Sequence, residues 1–169
     1  MNKDVIITNQ NLKSFKDFAK DVKQYIYKNK LFVNIQGHAY VYVEGWQFMG
    51  GMLGIEAVPS DLKNLSDEVE IKYSCTVELI QNGHVVGRGF AICSNQENKK
   101  KTFDEYAIAS MAQTRAVGKA YRLKIGWLMK LAGYEGTPAE EMNAPDYVDN
   151  DNDKKESIIN NLKQQKENK

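Results

Sequence analysis

Three patterns of apolar and polar residues divide the chain into segments with different predicted secondary structure. Between residues 10 and 30, apolar side chains recur every three or four positions, which predicts an amphipathic N-terminal helix. Apolar and polar residues alternate over residues 69–79, and residues 84–93 have the composition of a return strand. Asn82-Gly83 lies between them and is a strong signal for a two-residue turn, so the two strands are predicted to form a hairpin.

Weaker signals describe the segments before this hairpin. A β-rich run over residues 31–43 is interrupted by Gln36-Gly37, which predicts a first, shorter hairpin. Residues 47–53 are apolar and rich in glycine, which favours a short, closely packed helix. Residues 59–67 are polar and rich in turn-forming residues, and we expect them to form a surface loop.

A second long helix is predicted after residue 102. Thr102 and Glu105 have the spacing of a capping box, which predicts that this helix begins at Phe103. Small and apolar residues at helical spacing then share one narrow face: Ala109, Ala112, Ala116, Ala120, Leu123 and Trp127. Because most of that face is alanine, the helix can lie close to a sheet.

The predicted hairpin offers a surface for such a close contact. Counting outward from the turn gives the cross-strand pairs Leu79–Val86, Val77–Arg88 and Cys75–Phe90. In this register Arg88 interrupts an apolar face, either reaching the sheet edge or meeting a ligand. Gly87 and Gly89 lie on the opposite face, where missing side chains allow a helix or another backbone to approach.

Together these elements predict an α+β fold, in which an antiparallel hairpin sheet packs on a long helix and an amphipathic helix precedes both. The length of 169 residues suits one domain, expected over residues 1–142 with its core at about 31–135. Residues 143–169 are polar and charged, which is typical of a flexible tail. The polar first residues and the absence of a long apolar run favour a soluble, cytoplasmic protein without membrane contact.

Composition restricts the chemistry that the chain can perform. There are 23 basic and 22 acidic residues, so a site for nucleic acid would require local segregation of charge. The two histidines, His38 and His84, sit beside turns, and Cys75 and Cys93 fit reduced core positions, so no metal site is expected. No nucleophile elbow or phosphate-binding glycine motif is present, and we predict neither an enzyme nor a bound cofactor.

Charge is segregated on the second long helix. Arg115, Lys119 and Arg122 recur at i, i+4 and i+7, and these three residues are called the basic row below. No acidic residue occurs between positions 106 and 130 to neutralise them. A solvated helix face is the more common explanation of such a row, and a track for a phosphate backbone is the alternative. The loop before the helix adds three further cations: Lys99, Lys100 and Lys101.

Several short motifs resemble the annealing domain of the Rad-fifty-two family and its phage relatives. These motifs are Tyr42-Val43-Glu44-Gly45-Trp46 with Met52-Leu53-Gly54, the hairpin end Gly87-Arg88-Gly89, the helix segments Ala112-Gln113-Thr114-Arg115-Ala116 and Lys119-Ala120-Tyr121-Arg122, and the run from Gly133-Tyr134-Glu135 to Met142. The resemblance covers about residues 31–135, and each motif is short.

The resemblance implies a β-β-β-α core that assembles into rings or arcs and holds single-stranded DNA in a positively lined groove. By position, Lys119 and Arg122 match basic helix residues that contact the DNA backbone in the family, and Arg115 is added from helix geometry. The chain departs from the family around His38, where a basic hairpin position is neutral, and at Gly118, which replaces a basic residue. Other cations are expected to compensate: Lys28, Lys30, Arg88 and Lys99 to Lys101.

These observations lead to one expected function and two alternatives. We expect a homo-oligomer that binds single-stranded DNA and promotes ATP-independent annealing in recombination and repair, with a host or phage single-strand-binding protein as a further partner. The first alternative is a single-strand-binding or recombinase-loading protein without annealing activity. The second is a structural or regulatory oligomer on the same fold.

Overall fold

Both predicted hairpins and both long predicted helical regions form. The structure is a computed structural model that describes residues 9–142; the predicted tail at 143–169 lies outside the described residues. The elements are α1 (Asn9–Lys28), β1 (Phe32–Ile35), β2 (His38–Val41), α2 (Val43–Met52), β3 (Ile55–Asn64), β4 (Lys72–Gln81), β5 (His84–Ser94), α3 (Glu105–Leu131) and a 3₁₀ helix (Ala139–Glu141).

The core lies between one antiparallel sheet and the helices. Strands β3, β4 and β5 form a three-stranded sheet in that order, and α3 packs on one face of β4 and β5. Strands β1 and β2 form a separate two-stranded sheet, while α1 and α2 pack beside α3. Trp46, Met49, Leu79, Ile108 and Met129 are fully buried between these layers. The predicted α+β class, with antiparallel sheets packed against helices, is therefore confirmed.

The register of the large hairpin differs by one residue from the predicted register. Asn82 and Gly83 have positive φ angles of 52° and 76°, as a tight hairpin turn requires. A β-bulge follows, since Ile80 pairs with Val85 but Leu79 pairs with Gly87. Because side chains alternate along a strand, the extra residue exchanges the two faces of β5 beyond the bulge.

This exchange changes the surroundings of Arg88. Arg88 lies opposite Glu78, on the face turned away from α3, and its Nε donates to Glu78 Oε1 at 2.8 Å. Val77 instead lies opposite Gly89. The prediction that Arg88 interrupts an apolar face is therefore wrong, because it assumed a hairpin without a bulge.

Gly89 is the point at which α3 and β5 come closest. A Cβ atom built on Gly89 would lie 2.4 Å from the backbone N of Ala120 and 2.5 Å from the carbonyl O of Ala116. Both alanines are fully buried, which confirms the predicted close contact of the alanine face with a glycine on the return strand. Gly87 does not share this role, since a Cβ there would meet only Leu79 at an ordinary distance of 3.4 Å.

The beginning of α3 is set by Asp104 and not by the predicted Thr102 cap. The Asp104 side chain accepts a hydrogen bond from Ala107 N at 2.8 Å, and the helix begins at Glu105. A carboxylate at this position satisfies a free backbone N–H group and also interacts favourably with the helix dipole. The predicted start at Phe103 is therefore two residues too early.

Helix α3 also departs from the single regular helix that was predicted. Ile125 has φ −128° and ψ 15°, so the chain forms two helical segments joined at a kink. Leu123 and Trp127 are 72% and 41% exposed, and they do not continue the buried alanine face. The predicted apolar stripe is thus correct for Ala112, Ala116 and Ala120 and wrong toward the C-terminal end of the helix.

Strand β3 replaces much of the loop that was predicted at residues 59–67. Pro59 has no N–H group, but β3 lies at the edge of the sheet, where one side of the backbone needs no partner strand. A second bulge between Pro59 and Asp61 adjusts the pairing with β4. The polar composition of this segment reflects its exposure, since residues 59–64 are all exposed.

The cysteines and the glycine-rich segment follow the sequence predictions more closely. Cys75 and Cys93 are free thiols in the core, and burial raises the pKa of both, so they behave as small apolar side chains. Helix α2 forms four residues earlier than predicted. Gly50 is required there, because a Cβ would lie 2.2 Å from the Tyr121 ring.

Replacing Gly89 by alanine tests the close contact between α3 and β5. Gly89→Ala forces the helix away from the strand, because the atoms it meets belong to the backbone and cannot change rotamer. We expect a loss of about 3 kcal/mol in the free energy of unfolding, measured by urea denaturation. The matched variant Gly87→Ala should change it by less than about 1 kcal/mol; equal effects of the two substitutions would contradict the described packing.

Candidate nucleic-acid interface

The basic row lies on the side of α3 that faces the C-terminal segment, residues 133–142. This segment runs back along the helix, and Pro138 packs against Gly118, where a Cβ would lie 2.9 Å from Pro138 Cγ. Gly118 therefore makes room for a contact that holds the segment in position. The segment also brings the backbone carbonyl of Glu140 and the carboxylate of Glu141 to the helix face that carries the row.

Arg115 is held in place on all sides and is only 17% exposed. Its Nη1 and Nη2 donate to Glu97 Oε1 and Oε2 at 2.9 and 2.8 Å, a bidentate ion pair. Nη1 and Nε also donate to the carbonyl oxygens of Ile92 and Glu140, each at 3.3 Å. Every arm of the guanidinium thus has a protein partner, and the expectation that Arg115 points outward to a polyanion is wrong.

The other two members of the row are less restricted. Arg122 is 42% exposed, and its Nη1 donates to Glu141 Oε2 at 2.9 Å. Lys119 is half-buried, and no carboxylate in the described part of the chain pairs with it. The sequence observation that no acidic residue lies nearby on the helix is correct, but the neutralising carboxylates come from outside the helix.

Glu97 has the most strongly perturbed carboxyl group of the site. Burial alone would raise its pKa, but hydrogen bonds from Arg115, Lys100 and the backbone N–H of Ser94 lower the pKa to about 2. Glu97 is therefore ionised at neutral pH and joins the loop after β5 to helix α3.

Glu140 faces away from the basic row and toward helix α2. Its Oε1 accepts a hydrogen bond from the backbone N of Val43 at 2.9 Å, at the first turn of α2. Burial and the neighbouring carboxylates of Glu44 and Glu141 raise the pKa of Glu140. One carboxylate oxygen of Glu140 and one of Glu141 are buried without a hydrogen-bond partner among residues 9–142. The segment is thus fixed by packing, by the hydrogen bond from Val43 and by the bonds from Arg115 and Arg122.

The remaining predicted site residues do not form one continuous surface with the row. Arg88 is exposed on the opposite side of the sheet from α3 and is paired with Glu78. Lys100 is 12% exposed and pairs with Glu97 at 2.6 Å, while Lys99 and Lys101 are exposed in the same loop. Lys30 is exposed just beyond the end of α1. The structure therefore brings Lys100 to the row and separates Arg88 from it.

The cluster around the row retains an excess of positive charge. Four cations, namely Lys100, Arg115, Lys119 and Arg122, are accompanied by the two directly paired carboxylates of Glu97 and Glu141. Sequence reasoning missed both carboxylates, because each lies 18 or 19 positions from its arginine. The sequence contained a signal for Glu141 alone, because an acidic run follows Pro138 shortly after a helix whose basic row has no acidic neighbour.

Two further findings concern residues 9–142 as a whole. No helix in this part of the chain combines the length and the apolar character that a membrane span needs. No three histidine, cysteine, aspartate or glutamate side chains within it are grouped so that they could hold a metal ion.

The Glu97 carboxylate predicts a specific dependence of stability on pH. Because its pKa in the folded state is depressed from 4.5 to about 2, its contribution is present above pH 4.5 and is lost as the pH falls toward 2. This contribution is about 2 kcal/mol after allowance for solvent screening. Glu97→Gln should therefore be destabilised at pH 7, and its free energy of unfolding should fall less steeply than wild type between pH 4.5 and 2.

The matched control for this prediction is Glu78→Gln, which breaks the pair with the more exposed Arg88. That substitution should lower the free energy of unfolding by less than about 1 kcal/mol and leave the steepness of its fall at acid pH unchanged. The free energy of unfolding is measured by urea denaturation at each pH. An equally steep fall for wild type and Glu97→Gln between pH 4.5 and 2 would contradict the assigned role of Glu97.

Comparison with known proteins assigns no family to this chain. No model of a known protein family matches it, and no curated protein is detectably similar to it in sequence. The likeness to the Rad-fifty-two family therefore depends on the short motifs around Tyr42, Gly87 and Lys119.

Proposed function

We propose that the protein binds single-stranded DNA and promotes ATP-independent annealing of complementary strands. The observation that carries this proposal is the excess positive charge on α3, where Lys119 has no acidic partner in the described chain and Arg122 remains 42% exposed. The motifs that resemble annealing proteins support the same function. Arg115 has a different role in this proposal, because its guanidinium is fully used within the fold.

Annealing requires a surface that attracts phosphates and leaves base edges accessible. Cations on a rigid helix neutralise part of the backbone charge of one strand and so reduce its repulsion of the complementary strand. Helix α3 is rigid where Lys119 lies, because Ala116 and Ala120 hold it against β5. No bond is made or broken in this process, so the proposal needs no nucleotide hydrolysis.

Neutralising Lys119 tests the proposed surface. Lys119→Gln should weaken binding to a single-stranded oligonucleotide several-fold and reduce the slope of log affinity against log salt by about one phosphate contact. The control Lys63→Gln removes the same charge from the sheet face that is turned away from α3. Fluorescence anisotropy at several salt concentrations measures both variants. An unchanged affinity and slope for Lys119→Gln would remove α3 from the binding surface.

A strand-pairing assay without ATP separates annealing from its first alternative. In the proposed function, wild type accelerates pairing of complementary oligonucleotides, and Lys119→Gln accelerates it less. Tight binding without acceleration would instead identify a single-strand-binding or recombinase-loading protein.

A structural or regulatory oligomer is the second candidate, and exposed apolar surface favours it. Phe90 and Ile92 are 51% and 43% exposed on the sheet face away from α3, and Leu123 and Trp127 are exposed on α3. Exposed apolar surface of this kind is typical of protein contacts. The two surfaces lie on different elements, so pairing one with the other between copies would give a head-to-tail assembly.

The molar mass in solution distinguishes the two candidates when it is measured with and without single-stranded oligonucleotide. The proposed function predicts an oligomer that binds the oligonucleotide and changes mass by more than the ligand itself. An oligomer that ignores the oligonucleotide at low salt would favour the structural candidate. Phe90→Ser, on the outer sheet face, should lower the oligomer mass without unfolding the protein, because Phe90 is half exposed.

A further inference from the structure

A second region of the chain combines cations with aromatic side chains, and the carboxylate of Glu135 that reaches it pairs with His38 at 3.0 Å. Between Asp21 and Glu44 the sequence contains no acidic residue. The same stretch carries three lysines and five aromatic residues: Lys23, Lys28, Lys30, Tyr25, Tyr27, Phe32, Tyr40 and Tyr42. It forms the last turns of α1 and the first hairpin. Exposed aromatic rings beside cations are typical of surfaces that bind single-stranded nucleic acid.

Tyr27 is the aromatic residue best placed to meet a ligand. Its side chain is 71% exposed, although the neighbouring residue Ile26 is fully buried. One side of the Tyr27 ring packs against Phe32, with ring centroids 6.3 Å apart and an angle of 20° between the planes. Phe32 in turn contacts Tyr134, whose ring centroid lies 5.7 Å away. Tyr27 is therefore supported from the protein side and remains largely open to solvent.

Lys30 occupies a backbone position that normally favours glycine. Its φ angle is 54°, and α1 ends with hydrogen bonds from Lys30 N to Tyr27 O at 3.2 Å and from Leu31 N to Ile26 O at 3.0 Å. This pair of bonds is the Schellman motif, in which the left-handed residue is usually glycine because a Cβ atom is unfavourable there. A lysine at this position is therefore expected to be less stable than glycine.

The presence of a lysine at position 28 is explained in part by attraction to the negative end of the helix dipole, since cations in the last turn stabilise a helix. This attraction does not explain Lys30, where the dipole effect is offset by the unfavourable backbone conformation. Neither lysine pairs with a carboxylate in the described residues, in contrast to Arg115 and Arg122. Both cations beside Tyr27 thus remain available to an external anion.

We propose that Tyr27, Lys28 and Lys30 form a nucleotide-binding surface for single-stranded DNA. A base stacks on the open side of the Tyr27 ring, and the flanking phosphates contact the two lysines. Stacking uses the face of the base and leaves its pairing edge free for a complementary strand. This inference rests on the proposed function and extends it, because it assigns base contact to α1 and the first hairpin while α3 contributes charge.

Substitution of Tyr27 tests the stacking contact. Tyr27→Ala should weaken binding of an oligothymidine about tenfold, whereas Tyr27→Phe, which keeps the ring, should bind like wild type. The control is Tyr106→Ala, since Tyr106 is 81% exposed but lies beside Asp104 and Glu105. An abasic oligomer of equal length should bind wild type and Tyr27→Ala with the same affinity, because it offers phosphates without bases.

Lys30→Gly separates binding from folding. Glycine suits the left-handed position, so this variant should have an unchanged or higher melting temperature. It should nevertheless bind the oligothymidine several-fold more weakly, with a salt slope reduced by about one phosphate contact. A melting temperature lowered by several degrees would show that Lys30 serves folding and would overturn its assignment.

The outcomes distinguish this inference from the function on which it rests. Should wild type bind the oligothymidine while Tyr27→Ala and Tyr106→Ala both match it, the Tyr27 surface is wrong and the proposed function stands. Should wild type fail to bind at low salt, both are wrong. Weaker binding by Tyr27→Ala, with full binding by Tyr27→Phe and Tyr106→Ala, supports both.

Discussion

The ion pair between Arg115 and Glu97 is the interaction on which the arrangement of the site depends. The guanidinium joins four parts of the chain, because Arg115 of α3 contacts Glu97 of the preceding loop, Ile92 of β5 and the carbonyl of Glu140. A largely buried cation with this many donors needs acceptors on every side, or its desolvation would be unfavourable. The requirement fixes the loop, the strand and the C-terminal segment relative to α3.

This constraint divides the basic row into residues with different roles. Arg115 stabilises the fold and draws the C-terminal segment onto the helix, and that segment then supplies Glu141 to Arg122. Lys119 lies between the two arginines without a carboxylate of its own in the described chain. A row of three cations that looks uniform in the sequence thus has one structural, one partly neutralised and one unpaired member. Under the proposed function, only the unpaired and the partly neutralised member contact the DNA.

Local signals predicted much of the fold, while contacts between distant residues accounted for the errors. Asn82-Gly83 fixed the large hairpin, and apolar spacing located α1 and the alanine contact of α3, because turn chemistry and helical period are properties of neighbouring residues. The bulge beside Leu79 shifted the register by one residue, and it has no signal in the residue pattern. The ion pairs of Arg115 and Arg122 join residues 18 and 19 positions apart, so helix periodicity could not reveal them.

A double-mutant cycle between Glu97 and Arg115 tests the central claim most directly. The free energy of unfolding is measured for wild type, Glu97→Gln, Arg115→Gln and the double variant, and the cycle isolates the energy that couples the two side chains. We expect a coupling of about 2 kcal/mol at pH 7, because the pair is bidentate and largely buried. A coupling below about 0.5 kcal/mol would show that the pair does not organise the site.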